Sequence, residues 1–336
     1  MRPLFLALAL ALPLPATAQD SAAILTDVVE AHVLPGYARL TETTATLAAT
    51  AQAGCDPASP DLRAAFHGAF DDWILVSHLR FGPSERDDRA FALAFWPDTK
   101  GFTPKALSGL ISTSDPVVES PKAFAETSIA GRGFFALEMM LFDPAFADQG
   151  QAPYRCALIR AITTDIDRNA KAIAEDWQPF AEHVTHSGGN SPYRSENEAL
   201  QELYKALSTG LQFTSETRLG RPLGTFDRPR PKRAEARRSA RSVRHVELSL
   251  ITLRDLAMRL SADHPAIAAD MDSAFDNAIA RVQALDDPAF AGVANPQGRL
   301  RIEALQQSIN DIRQIAATEL GPTLGISAGF NALDGD

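Results

Sequence analysis

The chain has 336 residues, and its 42 acidic and 32 basic side chains give it a formal charge of −10 at pH 7. Such an acidic balance argues against nucleic acid as a partner. The length fits about two domains of ~100 to 200 residues each. With 45% hydrophobic residues, the composition is that of a globular protein with enough apolar side chains for sizeable cores.

The N-terminal residues 1–18 have the features of a secretory signal peptide. Arg2 supplies a positive start, residues 4–14 are apolar but too few to cross a bilayer, and residues 16–18 (Ala-Thr-Ala) resemble a cleavage site. The mature chain would begin near Gln19. No cysteine follows the cleavage site to carry a lipid, and no later run is long and apolar enough for a membrane span. We predict a soluble protein exported to a bacterial periplasm.

Apolar residues recur every three or four positions between residues 24 and 47, which predicts a long helix bent near Pro35. His32 lies on the apolar face of this helix. A histidine in such a position is more often a hydrogen-bonded core residue than a metal ligand. We predict a core role, with ligation as the alternative.

Cys55 and Cys156 are the only cysteines of the chain. In an oxidising compartment they would form a disulfide bond. Closing a loop of ~100 residues could stabilise the fold by ~4 to 5 kcal/mol, less any strain. Two buried thiols are the alternative, and a metal site is less favoured because no histidine or third cysteine is near either residue in sequence.

A helix predicted for residues 62–78 places His67, Asp71 and His78 on one face. These side chains can bind metals. However, seven residues of helix rise by about 10.5 Å, which puts His78 too far from Asp71 to share one ion with it. We interpret His67 and Asp71 as a pair on the helix surface, with metal ligation as the weaker alternative.

Two turns follow, an Arg-Phe-Gly-Pro turn at residues 80–83 and a Trp-Pro-Asp turn at residues 96–98. The sequence predicts a helix between them that Ser84 caps. Further helical pieces are predicted for residues 103–112 and 116–130.

One acidic residue, Glu138, lies within the apolar run GRGFFALEMMLFD at residues 131–143. Helical spacing puts it on or beside the buried stripe of a short helix that starts abruptly at two glycines. A buried carboxylate is normally paired or binds a metal. Arg80 and Arg132 are candidate partners for Glu138, or for Asp98 in the second turn.

Three aromatic residues, Trp73, Trp96 and Phe135, are candidates for the wall of a pocket. The alternative is that these rings belong to the core, and we favour that alternative for Trp73.

Residues 153–183 carry a long helical repeat. The glycine, serine and proline residues that follow predict a domain boundary. His183 and His186 would share a helical face just before this boundary. Because a fraying helix end is a poor frame for a metal, we favour no site there.

Eight basic residues lie between Arg228 and Arg244 in a chain that is acidic overall. The sequence predicts a helix that carries Arg237, Arg241 and Arg244 on one face. A basic row can bind nucleic acid or anionic lipid, or it can be a solvated face paired with acids. We hypothesise that part of it, Arg241 included, turns inward between the two halves, towards an anionic ligand or Glu138.

The pattern as a whole predicts an all-α protein of two helical-bundle domains, each like a four-helix bundle, because alternating strand patterns are scarce. The predicted divisions are an N-terminal bundle over residues 19–186, a linker over residues 187–195 and a C-terminal bundle over residues 196–336.

Five segments follow one another along the chain: the turns at residues 80–83 and 96–98, the helix at residues 131–143, the segment LQFTSETRLGRPLG and the closing GISAGFNALDGD. In this order they resemble the imelysin family, periplasmic proteins that include proposed metallopeptidases and iron-regulated uptake proteins. Matched to the family's Gly-x-His-x-x-Glu motif, Gly133 and Glu138 agree and Phe135 replaces the histidine. Phenylalanine has no lone pair for a metal.

The resemblance implies a periplasmic, non-catalytic binding component connected with the uptake of iron or a metal complex. No cofactor is certain, and iron or another divalent metal is the candidate, with Glu138 as its one remaining motif ligand. Partners would be a metal ion or complex and uptake proteins of the periplasm or outer membrane. The candidate ligand-binding residues are Glu138, Arg132, Arg80, Asp98, Trp96, Phe135 and Arg241.

Two other functions stay open. A metallopeptidase would use Glu138 as base or ligand, but it needs about three protein ligands and an open water position. The third possibility is a structural or interaction module with a degenerate site.

Overall fold

The structure of the chain, a computed structural model, describes residues 21–326. Within this range the chain is helical and contains no strand, only an isolated bridge between Thr225 and Arg228. The predicted all-α class is therefore confirmed. The predicted signal peptide and most of the closing segment lie outside the described residues.

The helices of the first half are α1 (Ser21–Val28), α2 (Leu34–Ala53), α3 (Pro60–Val76), α4 (Arg89–Leu93), α5 (Phe102–Thr113), α6 (Pro121–Ala125), α7 (Gly133–Phe142) and α8 (Ala152–Thr185). A π-helical turn, Val29–Val33, joins α1 to α2. Those of the second half are α9 (Glu196–Gln212), α10 (Gly220–Leu223), α11 (Ser242–Leu260), α12 (Pro265–Gln283), α13 (Pro296–Ile315) and α14 (Gly321–Thr323). Further π-helical turns, Phe213–Leu219 and Ala316–Leu320, follow α9 and α13.

The core of the first half forms where α2, α3 and α8 pack together. The rings of Tyr37 on α2 and Trp177 on α8 stack with their centroids 5.9 Å apart. At the opposite end of α8, a disulfide bond joins Cys156 to Cys55 in the loop before α3. The predicted pairing of the two cysteines is confirmed.

Two predicted helices of the first half are wrong in detail. Ser84 caps no helix, because its hydroxyl donates to the carbonyl oxygens of Leu79 and Phe81 inside a turn. Asp87 and Asp88 both have φ of 54°, which interrupts the chain before α4 begins. Residues 116–130 form two 3₁₀ turns around the short α6 rather than one helix.

The predicted arginine helix is also wrong. After a 3₁₀ turn at Pro231–Arg233 the chain continues as turns, and α11 begins only at Ser242. Ala236 and Ala240 have φ of 44° and 56°, outside the right-handed helical region. The arginines before α11 therefore project from irregular backbone.

The two halves pack closely against each other. The helix α3 packs on α11, and α1 contacts both α9 and α11. The division into two bundles with a linker at residues 187–195 stays a prediction. Among residues 21–326, no helix combines the length and apolar character that a membrane span requires.

Candidate functional site

The helix that carries Glu138 starts at a position that only glycine can occupy. Gly133 has φ of +71°, and a Cβ atom built there would lie 2.3 Å from the carbonyl oxygens of both Ala92 and Leu93. The backbone of α7 therefore crosses the end of α4 at close range. Every residue of α7 from Gly133 to Leu141 is buried.

Glu138 is buried as predicted, with 1% of its surface exposed. Its Oε1 atom accepts hydrogen bonds from the backbone N–H and the hydroxyl of Ser239, at 2.9 and 2.8 Å. Burial raises the pKa of the Glu138 carboxyl, while these hydrogen bonds and the charges of Arg238 and His245 lower it, and the net shift is upward. The carboxyl group of Glu138 in the first half is thus hydrogen-bonded to two neutral donors of Ser239 in the second half.

The predicted arginine partners of Glu138 bind elsewhere. Arg132 donates from Nε and Nη2 to both carboxylate oxygens of Asp165, at 2.8 and 3.0 Å, and so ties the start of α7 to α8. Arg80 donates to Glu85 at 2.6 Å. Neither arginine is hydrogen-bonded to Glu138, whose partner Ser239 lies in the other half.

Asp98 is not paired with an arginine. Its carboxylate accepts from the backbone N–H groups of Phe102 and Thr103, at 2.9 and 2.8 Å, and so caps the start of α5. Burial alone would raise the pKa of Asp98, but these hydrogen bonds lower it below the usual value.

Part of the arginine row does turn inward between the halves, but it meets acids other than Glu138. Arg241 binds the carboxylate of Asp71 on α3. Arg238 donates to Asp143, at the end of α7, at 2.5 Å. Because Arg241 occupies Asp71, the predicted surface pair of Asp71 with His67 is replaced by a contact between the halves.

A pocket of about 420 Å³ lies between the two halves. Trp73, Trp96 and Phe135 line it from the first half, and Arg80 lies at the same pocket. The rings of Trp96 and Phe135 stack with centroids 6.1 Å apart and planes 21° apart. The second half closes the pocket with α9, the Phe213–Leu219 turn and α11.

A buried ion pair that the sequence analysis missed also lines this pocket. Arg218 and Glu235, 5% and 4% exposed, pair through Nε and Oε2 at 2.7 Å. The guanidinium also donates to Ser249 at 2.9 Å, and it lies 3.5 Å from Ser77 of the first half. Burial alone would raise the pKa of Glu235, but the charges of Arg218 and His245 and their hydrogen bonds lower it to about 2.

A pair of histidines lies at one wall of the pocket. His32 contacts Asp255 of α11 through Nδ1 at 2.7 Å and His78 through Nε2 at 2.9 Å. The predicted core role of His32 is confirmed, and His78, which lines the pocket, is its partner. Burial lowers the pKa of His78, and the charges of His32 and Arg218 add to this effect.

Comparisons with known proteins agree with this architecture. The family model described as imelysin matches residues 33–316, which is most of the chain. The chain belongs to the imelysin family. A crystal structure of an imelysin-like protein from Psychrobacter arcticum 273-4 superposes with a TM-score of 0.77 at 20% identity, covering 92% of this chain and 97% of that one. A structure from Parabacteroides distasonis ATCC 8503 gives a TM-score of 0.72 at 14% identity, covering 91% and 94%.

Among curated relatives of this imelysin-family chain is iron-regulated protein A of Synechococcus elongatus. The two are 23% identical over 269 residues, which covers 74% of this chain and 70% of the relative.

The motif region of this imelysin chain does not fit a bare metal ion. Phe135, which the resemblance matches to the motif histidine, lies in the pocket wall. Glu138 uses Oε1 for Ser239. Among the described residues, no three or more His, Cys, Asp or Glu side chains are grouped so that they could hold a metal.

Proposed function

We propose that this chain is an exported, non-catalytic binding component connected with the uptake of iron, and that its ligand is a metal complex rather than a bare ion. The observation that carries this proposal is that Phe135, which the resemblance matches to the motif histidine, lies in the wall of the pocket between the halves. An ion would need donor atoms at that wall, whereas an organic chelator needs an apolar surface.

The pocket suits a small organic complex in size and in surface. Its volume of about 420 Å³ is typical of small-molecule sites. The stacked rings of Trp96 and Phe135 supply an apolar wall, and Arg218 and Glu235 supply a buried polar contact. A chelator brings the metal's ligands with it, so the protein need not supply them.

The link to iron rests on the relative named iron-regulated protein A. The link to export rests on residues 1–18 and on the disulfide bond between Cys55 and Cys156, which persists in oxidising compartments.

Equilibrium dialysis against a ferric catecholate, the iron complex of a chelator with an aromatic ring, tests the ligand. We expect saturable binding that Trp96→Ala weakens about tenfold, since one stacked aromatic contact and its apolar area are lost. The matched control is Phe102→Ala, which removes a ring that is 46% exposed and does not line the pocket. Equal affinity in wild type and Trp96→Ala would contradict the assignment of the pocket.

A casein hydrolysis assay on the same protein distinguishes a binding function from a catalytic one. Casein hydrolysis that depends on added metal and disappears in Glu138→Gln would favour the metallopeptidase alternative. If the ferric catecholate does not bind and casein is not cleaved, the structural or interaction module is the better description.

Export is tested on the expressed full chain. We expect the protein in the periplasmic fraction, with Gln19 as its first residue by N-terminal sequencing, because cleavage follows the small residues 16–18. A cytoplasmic protein that keeps residues 1–18 would contradict this part of the proposal.

A further inference from the structure

The two most exposed large apolar side chains of the described chain are both close to one buried arginine, Arg299, one by contact and one as its neighbour in sequence. Phe226 is 86% exposed, and Leu300 on α13 is 67% exposed. Arg299, the neighbour of Leu300, lies with Cζ 5.6 Å from the centre of the Phe226 ring. It also donates to the backbone oxygens of Leu223 and Thr225, at 2.8 and 3.3 Å. The loop that carries Phe226 is thus fastened to the start of α13.

The same loop carries an excess of positive charge. Arg228, Arg230, Lys232 and Arg233 are exposed and lie within six positions of one another. Asp227 is the one acid among residues 224–233, and its carboxylate is 3.5 Å from Arg228. The side chains of Arg230, Lys232 and Arg233 form no ion pair with any described residue, in contrast to Arg238 and Arg241. We call residues 224–233 the basic loop.

The basic loop has a defined shape without a partner. Gly224 has φ of +57°, and a Cβ atom there would meet the carbonyl oxygen of Arg228 at 2.4 Å. The backbone N–H of Arg230 donates to Pro222 at 2.8 Å. Arg228, Arg230 and Arg233 line a shallow cleft of about 400 Å³. The cations are therefore held near one another and beside a protruding ring.

We propose that the basic loop and Leu300 bind the surface of an anionic phospholipid bilayer. The lipid phosphates would contact the arginines of the cleft, and Phe226 and Leu300 would enter the boundary between head groups and acyl chains. This binding goes beyond the pocket and does not depend on its ligand.

Two observations favour a bilayer over an acidic protein. The Phe226 ring projects from the surface instead of lining a groove, so a flat, deformable partner covers it better than a folded one. The basic residues also occur beside the apolar side chains, which is the combination that peripheral membrane proteins use for reversible attachment.

Vesicle co-sedimentation tests this proposal with the full mature protein. We expect binding to vesicles of mixed phosphatidylglycerol and phosphatidylcholine, and none to pure phosphatidylcholine. High salt should release the protein, because salt screens exposed charges. Phe226→Ala should weaken binding about tenfold, the loss expected for one large apolar side chain leaving the membrane interface. The double change Arg230→Ala with Arg233→Ala should abolish the dependence on phosphatidylglycerol.

The control Phe102→Ala removes another exposed phenylalanine, on α5, and should leave sedimentation unchanged. If Phe226→Ala left sedimentation unchanged, the protein would bind the vesicles by charge attraction alone, and the proposal would be overturned. The proposal would also be overturned if an acidic peptide bound with the same affinity as the vesicles and in a way that depends on Phe226. Loss of vesicle binding in millimolar inorganic phosphate at constant ionic strength would overturn it as well.

Discussion

Replacing Arg218 by leucine is expected to lower the free energy of unfolding by ~3 to 5 kcal/mol, because it leaves the buried Glu235 carboxylate without its main cation. Arg218 is 5% exposed and holds Glu235 and Ser249 by hydrogen bonds. Urea unfolding of both proteins at pH 7 measures the difference. The variant should also lose polar contacts at the interface pocket.

The control for Arg218→Leu is Arg254→Leu on α11. Arg254 pairs with Asp272 at 2.6 Å and with Asp276 at 2.8 Å, but the three side chains are 31%, 43% and 65% exposed, so its removal should cost no more than ~2 kcal/mol, at most ~1 for each exposed pair. Equal losses in the two variants would mean that the Arg218 pair contributes no more than a surface pair.

The same ion pair predicts how stability depends on pH. Folding lowers the pKa of Glu235 from 4.5 to about 2, despite the opposing effect of burial. The unfolded chain therefore binds more protons than the folded chain between these values, and the contribution of Glu235 is complete above pH 4.5 and lost as the pH falls towards 2. In Arg218→Leu the loss of stability on acidification should be much smaller. The free energies of unfolding of the variant and the wild type should therefore converge as the pH falls.

Gly133→Ala should be similarly damaging, with a loss of at least ~3 kcal/mol. The added Cβ atom would lie 2.3 Å from two carbonyl oxygens, and alanine disfavours the φ of +71°. Backbone atoms cannot move aside as a flexible side chain can. The shift of α7 needed to relieve the contact would displace Phe135 from the pocket wall. Thermal unfolding and dialysis against the ferric catecholate would measure both effects.

Gly68→Ala on α3 provides the comparison for Gly133→Ala. No atom lies within 4 Å of a Cβ atom built at Gly68, so alanine should stabilise the helix by ~0.5 to 1 kcal/mol. If Gly133→Ala were also neutral or stabilising, the close approach of α7 to α4 would be wrong.

The burial of Glu138 could be predicted from sequence because its neighbours on α7 are apolar over a full helical turn on each side. Its partner could not be predicted. Ser239 is 101 positions away and donates from a turn that the sequence pattern presented as helix. The spacing of the arginines suggested a continuous face, whereas local backbone conformations at Ala236 and Ala240 end the helical geometry there.

The pocket shows the same limit. Its aromatic wall could be predicted from the residue types at 73, 96 and 135, since large aromatic rings are candidates for the wall of a pocket. The Arg218–Glu235 pair could not be predicted, because each residue lies in a segment that also carries other charges. The short distance between Arg218 and Glu235 depends on the turn before α11. The unusual sequence signal was an acid, Glu235, in the middle of a basic run.

Crystals of the protein grown with the ferric catecholate, measured at the iron absorption edge, test the central claim most directly. We predict an anomalous iron peak inside the pocket beside Trp96 and Phe135, with the chelator providing the iron's ligands and Glu138 still bound to Ser239. An iron peak coordinated by Glu138 itself would contradict the account, because the protein would then supply a metal site at the motif despite the phenylalanine.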